Sequence, residues 1–66
     1  MSISEYYKAD GTFAQVRQNP ETKEHYIMYF NESGNIFNTE KFPGKALNYV
    51  EDAAENYALG IKDYIK

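Results

Sequence analysis

Four turn signals divide the first two-thirds of this chain into runs of a length that suits strands. Asp10-Gly11, Asn19-Pro20, Ser33-Gly34 and Pro43-Gly44 leave runs of seven to twelve residues between them. The intervening residues are dense in aromatic and β-branched side chains, the pattern of an antiparallel meander. An Asp-Gly loop of two residues suits a type I′ turn, which pairs Ile3–Ala9 with Thr12–Gln18. Proline at 20 fixes φ, removes a donor and pushes Asn19 toward extended geometry, so 19–23 reads as a loop and Glu24–Asn31 as the third strand. Glu32-Ser33-Gly34-Asn35 makes the next turn and Ile36–Phe42 the fourth strand. The first strand alternates poorly, which leaves a three-stranded sheet as the fallback.

The period changes after Pro43-Gly44. Val50, Ala54, Tyr57, Ala58, Ile61 and Ile65 fall at spacings of three and four, one apolar stripe of an amphipathic helix. Asn48 with Glu51 three residues on has the form of a capping box, so the helix is expected to start at Asn48. Gly60 interrupts the stripe at a cost of about 1 kcal/mol relative to alanine, which predicts a bend or an early end. The fold class is α+β: a three- to four-stranded antiparallel meander with one C-terminal helix packed on one face, a single domain over residues 1–66. A chain of 66 residues buries only about 60% of the surface that it exposes when unfolded, so a large internal active site is not expected.

Loop lengths convert into sheet faces. A two-residue loop at Asp10-Gly11 sets Tyr7 opposite Ala14, and a five-residue loop at 19–23 sets Val16 against Tyr26 and Ala14 against Met28. Tyr7, Ala14, Val16, Tyr26, Met28, Phe30 and Phe37 then share the face that seats the helix. Tyr6, Phe13, Gln15, Arg17, His25, Ile27, Tyr29, Ile36 and Phe42 share the other, which one helix cannot also cover. An uncovered patch of this kind points to a partner, so Tyr6, Phe13, Arg17, His25, Ile27 and Tyr29 are the candidate partner-binding residues. The competing reading is a register displaced by one residue, or terminal segments folded over that face.

Catalytic and metal chemistry find little here. His25 is the single histidine and there is no cysteine, so no metal-ligand spacing can be drawn and no cofactor is expected. No nucleophile, base and orienting acid group together, and no glycine-rich phosphate loop is present, which predicts a non-enzyme. Glu51, Asp52 and Glu55 gather near the helix start, where the dipole favours acids. They form the alternative partner-binding surface, for a basic protein. A net charge of −3 and a pI near 4.9 weigh against nucleic acid and against an anionic membrane. With no secretory signal and no long apolar run, the expected location is the cytoplasm.

The abundance of Phe, Tyr, Met, Ile, Asn and Lys, with Arg17 the single arginine, is the bias of an AT-rich genome. In this style the chain resembles the short acidic orphan proteins of tailed phages, cyanophages included. The resemblance implies a small regulator that docks on a host protein, or a homodimer. The alternative function is a nucleic-acid-binding accessory domain, because three antiparallel strands followed by a helix resemble the AP2-like and integrase N-terminal domains. There Arg17, Gln15 and His25 would read DNA from the sheet.

Overall fold

A computed structural model describes residues 2–60. Four strands, β1 (Ser2–Tyr7), β2 (Phe13–Gln18), β3 (His25–Phe30) and β4 (Ile36–Phe42), form one antiparallel sheet in the order β1-β2-β3-β4, followed by helix α1 (Leu47–Ala58). The α+β meander expected from the sequence is therefore the fold, with all four strands present.

The loops are built differently from expectation, and the sheet faces follow from them. The Lys8 N–H donates to the Thr12 carbonyl at 2.9 Å and the Gly11 N–H to the Lys8 carbonyl at 3.1 Å. Ala9, Asp10 and Gly11 thus form a three-residue loop in which only Gly11 takes positive φ, at 93°. Loops of this length are commonly a type I turn followed by a left-handed residue. Asp10 stays at negative φ because its carboxylate works locally, accepting from the Thr12 N–H at 2.9 Å and the Thr12 hydroxyl at 2.6 Å. One more loop residue moves the register by one, so Tyr7 pairs with Phe13 and Tyr6 with Ala14.

The second loop shifts by one in its turn. The Asn19 N–H reaches the Glu24 carbonyl at 2.8 Å, closing a four-residue loop, Pro20–Lys23. The Asn19 side chain caps this loop by accepting from the Glu21 and Thr22 N–H groups, and Lys23 closes it at φ 66°. Phe13 therefore pairs with Phe30, Val16 with Ile27 and Arg17 with Tyr26. The third loop repeats the first: Asn31 and Asn35 pair around Glu32-Ser33-Gly34, with Gly34 at φ 88°. A bulge at its foot lets Phe30 face Ile36 while Tyr29 faces Asn38.

Ala14 and Val16 seat the helix as expected, but their neighbours on β1 and β3 are exchanged. A one-residue slip moves a whole strand's side chains to the opposite face. The core is Ala14, Val16, Ile27, Tyr29 and Phe42 from the sheet against Val50, Ala53, Ala54 and Tyr57 from α1, with Tyr6 and Leu47 packed at its margin. The predicted stripe is correct at Val50, Ala54 and Tyr57, and Ala53 joins it. Ile61 and Ile65 lie outside the described residues. The three alanines let α1 lie close over β1, β2 and β3. Both fully buried tyrosines keep their hydroxyls bonded, Tyr29 donating to Glu40 at 3.0 Å and Tyr57 meeting Thr12 Oγ1 at 2.6 Å. Because Thr12 spends its own proton on Asp10, Tyr57 is the donor in that pair.

The helix does not start as the capping box predicts. Ala46 is the N-cap, with extended backbone and no side-chain bond, and α1 begins at Leu47. Glu51 instead accepts from the Ser4 hydroxyl on β1 at 2.7 Å, a bond that spans sheet and helix. Glu51, Asp52 and Glu55 consequently fall beyond the first turn, which holds no acid. At the other end the Gly60 N–H caps the Tyr57 carbonyl at 3.0 Å with Gly60 at φ 82°, the left-handed stop that glycine favours.

Ile27→Lys and Tyr29→Asp place charges at positions with no solvent exposure, so each is expected to unfold the chain, seen as loss of the cooperative melt and of dispersed amide signals. The bonds from the Thr12 hydroxyl and N–H hold the Asp10 carboxyl below its ordinary value of 3.8. A carboxyl whose folded value is depressed stabilises the fold in full above its unfolded value and loses that contribution as pH falls through the folded one. The melting-temperature difference between wild type and Asp10→Asn should therefore be constant near neutrality, narrow below about pH 4 and vanish at lower pH.

Candidate functional site: the open sheet face

With α1 on one side, the opposite face of the sheet has no described element over it. Register places its side chains in three cross-strand rows. The first is Tyr7, Phe13, Phe30 and Ile36; the second Glu5, Gln15, Met28 and Thr39; the third Arg17, Tyr26 and Lys41.

The first row is an aromatic ladder. Tyr7 stacks on Phe13 with ring centroids 5.0 Å apart, and Phe13 on Phe30 at 4.8 Å with ring planes 9° from parallel. Phe13 thus has a ring against each of its faces, and the ladder turns edges rather than π-faces outward. Its two ends are the open parts: Tyr7 is 64% exposed and Ile36 50%.

A polar chain runs across the rows. The Tyr7 hydroxyl donates to Glu5 Oε1 at 3.2 Å, and Gln15 Nε2 donates to Glu5 Oε2 at 2.7 Å. Arg17 donates to Gln15 Oε1 through Nε at 3.1 Å and through a terminal nitrogen at 2.7 Å. Both Glu5 oxygens are therefore occupied, while the arginine's partner among the described residues is a neutral amide. The bond to Glu5 favours the neutral phenol of Tyr7, and with the nearby carboxylate charge it holds that hydroxyl above its ordinary value of 10.0.

Of the six residues expected on an uncovered face, Phe13 and Arg17 are there. Tyr6, His25, Ile27 and Tyr29 occupy helix-side positions, with Ile27 and Tyr29 fully buried. Tyr7, Tyr26, Met28 and Phe30, expected beneath the helix, stand on the open face instead. Phe42 also changes side and is buried against Tyr49, with ring centroids 6.0 Å apart. Two signals could have placed them: for β1 the preference of Asp10 for a local hydrogen bond over positive φ, and for β3 the ability of the Asn19 side chain to cap the loop that follows it.

Glu51, Asp52 and Glu55 lie within about one turn of α1. Glu51 is half-buried and bonded to Ser4, while Asp52 lines a shallow depression with Phe42, Tyr49, Ala53 and Asn56 on the β4 side. Partial burial, then the field of Glu51, raises the Tyr6 hydroxyl above its ordinary 10.0. His25 lines a second open depression with Asn19, Thr22, Glu24, Tyr26, Thr39 and Lys41, and has no cluster of ligands about it. Among the described residues no three His, Cys, Asp or Glu side chains gather to hold a metal, and no helix is long and apolar enough to cross a membrane. No family model matches the sequence, and neither a curated protein nor a solved structure matches it significantly.

The ladder should contribute to stability as well as to surface. Phe13→Ala removes two stacked contacts worth about 0.5–1.5 kcal/mol each, so urea titration is expected to show a larger loss than for the exposed Tyr7→Ala.

Proposed function

We propose that this chain is a small non-enzymatic module that binds a protein partner through its open sheet face. The observation that carries this reading is the row Tyr7, Phe13, Phe30 and Ile36, apolar side chains aligned on a face that no described element covers. Contiguous exposed apolar surface of this kind marks interaction sites on soluble domains. Tyrosine and arginine, both present here, are the residues that dominate binding energy at such sites. The resemblance in composition to small phage proteins makes a host regulator or enzyme the partner to look for, and the low count of basic residues suits a protein partner better than a nucleic acid.

The ladder geometry weighs the same way. Single-stranded nucleic acid binds sheets by stacking bases on free aromatic faces, and the faces of Phe13 are already taken by its neighbours. Of the three side chains expected to read DNA, Arg17 and Gln15 share the open face while His25 is on the helix side.

A photoreactive amino acid placed at Ile36 is expected to crosslink a protein from the lysate of the source cell or its host. The same group at Glu55, on the outer surface of α1, should not. Tyr7→Asp should keep the fold and abolish the Ile36 crosslink. Equal yields from both positions, or an unchanged yield in Tyr7→Asp, would remove the open face as the binding surface.

A further inference from the structure

We propose that the open face seats a short extended segment of the partner protein, one that carries an acidic side chain four residues from an apolar anchor. This rests on the protein-binding reading above and names the chemistry of the partner.

The charge of the face is the first argument. Its three rows hold Glu5, Arg17 and Lys41, a net of +1 in a chain of −3, so all other residues together carry −4. The acid among the three is spent internally on Tyr7 and Gln15. The cations are not spent. Arg17 and Lys41 stand on either side of Tyr26 in one row, and neither has a carboxylate at ion-pair distance among the described residues. Arg17 uses two of its five N–H donors on the Gln15 amide oxygen, which leaves three directed at no described protein acceptor. Two cations of one row, neither paired with a carboxylate among the described residues, offer a carboxylate two points of attraction, with Glu24 in the depression that Tyr26 and Lys41 line.

Spacing and size fix the form of the occupant. Phe13 and Arg17 are four residues apart on one strand, so the apolar row and the cationic row are separated by about 13 Å. An extended chain covers that distance in four residues and returns its side chain to the same face, because strand side chains alternate with a period of two. Four strands of about six residues present a face of about 400 Å². A stable pair of globular surfaces buries about 800 Å² on each side, twice what is offered here. The face suits a segment better than a second copy of the chain.

The test begins with a random twelve-residue peptide library selected against the immobilised whole chain. Peptides recovered are then synthesised, titrated by fluorescence anisotropy and mapped by amide chemical shifts. The expected peptides hold Asp or Glu four residues from a Leu, Ile or aromatic residue, and shift the amides of β2 and β3. The doubly substituted Arg17→Gln, Lys41→Gln chain, shown folded by its spectrum, should bind about tenfold or more weakly, as expected for a desolvated charge contact. Replacing the peptide acid by its amide should cost the same, and combining both changes should cost no more. Glu55→Lys should bind as wild type does.

Peptides that map to the open face but are indifferent to their acid and to both cations would overturn this proposal and leave the protein-binding reading standing. Peptides that map only to the helix side, or no binding peptides at all, would overturn both. A wild type that is dimeric by ultracentrifugation, and monomeric once Arg17 and Lys41 are replaced, would give the seat to a second copy and overturn the segment.

Discussion

The backbone bond from the Lys8 N–H to the Thr12 carbonyl, with that from the Gly11 N–H to the Lys8 carbonyl, sets the length of the first loop, and with it the face of each paired side chain of β1 relative to β2. A sheet covered by one helix has one dry side, and strand periodicity leaves no intermediate position between dry and wet. Ala14 and Val16 fix which side of β2 is dry, since small and branched residues are what α1 can approach. The loop then decides whether Tyr6 or Tyr7 joins them. The Asp10 carboxylate makes that decision by binding Thr12 twice, which holds Asp10 at negative φ and passes the left-handed position to Gly11 alone. Tyr57 reaches the same threonine from the helix, so loop, sheet and helix share one chain of hydrogen bonds from Tyr57 through Thr12 to Asp10.

Element types were legible because the period of two before Pro43 and the period near 3.6 after it are carried by many residues at once. No single side chain could mislead them. Faces were not legible in the same way, because each depends on a count of loop residues, and Asp-Gly suits both a two-residue loop and the end of a three-residue one. The two registers erred by one each, so β1 and β3 stayed mutually consistent while both were reversed against β2. Of the candidate site, Phe13 and Arg17 were placed correctly through β2, the strand whose alternation was clearest. Ile27 and Tyr29 were displaced with β3 as a block. The helix start misled for a different reason: Asn48 and Glu51 have the spacing of a capping box, but Ser4 offers Glu51 a bond that ties α1 to β1, and that tertiary contact prevails over the local one.

The tyrosines show how a thin core uses amphipathic rings. Tyr29 and Tyr57 are wholly buried and meet edge to face at 4.9 Å, each with its hydroxyl bonded at the margin of the core. A phenylalanine would fill the same volume, but Thr12 and Glu40 would each lose a donor. The same residue type on the other face does the reverse, with Tyr7 exposing its ring edge and spending its hydroxyl on Glu5.

An open apolar row is a hazard as well as a candidate site, and the ladder moderates the hazard. Stacked face to face, Phe13 and Phe30 shield each other and remain half-buried in the free chain, which lowers the apolar surface presented to water without removing it. Polar groups border the row along the strands, where Glu5, Gln15 and Arg17 form one bonded chain beside it. A second apolar body that settles on the whole face must therefore strip water from those groups, and it gains little unless it returns a polar contact to Arg17 or Lys41. On the proposal made above, the arrangement would admit a partner that is apolar at one end and acidic at the other, and would discriminate against one that is only apolar.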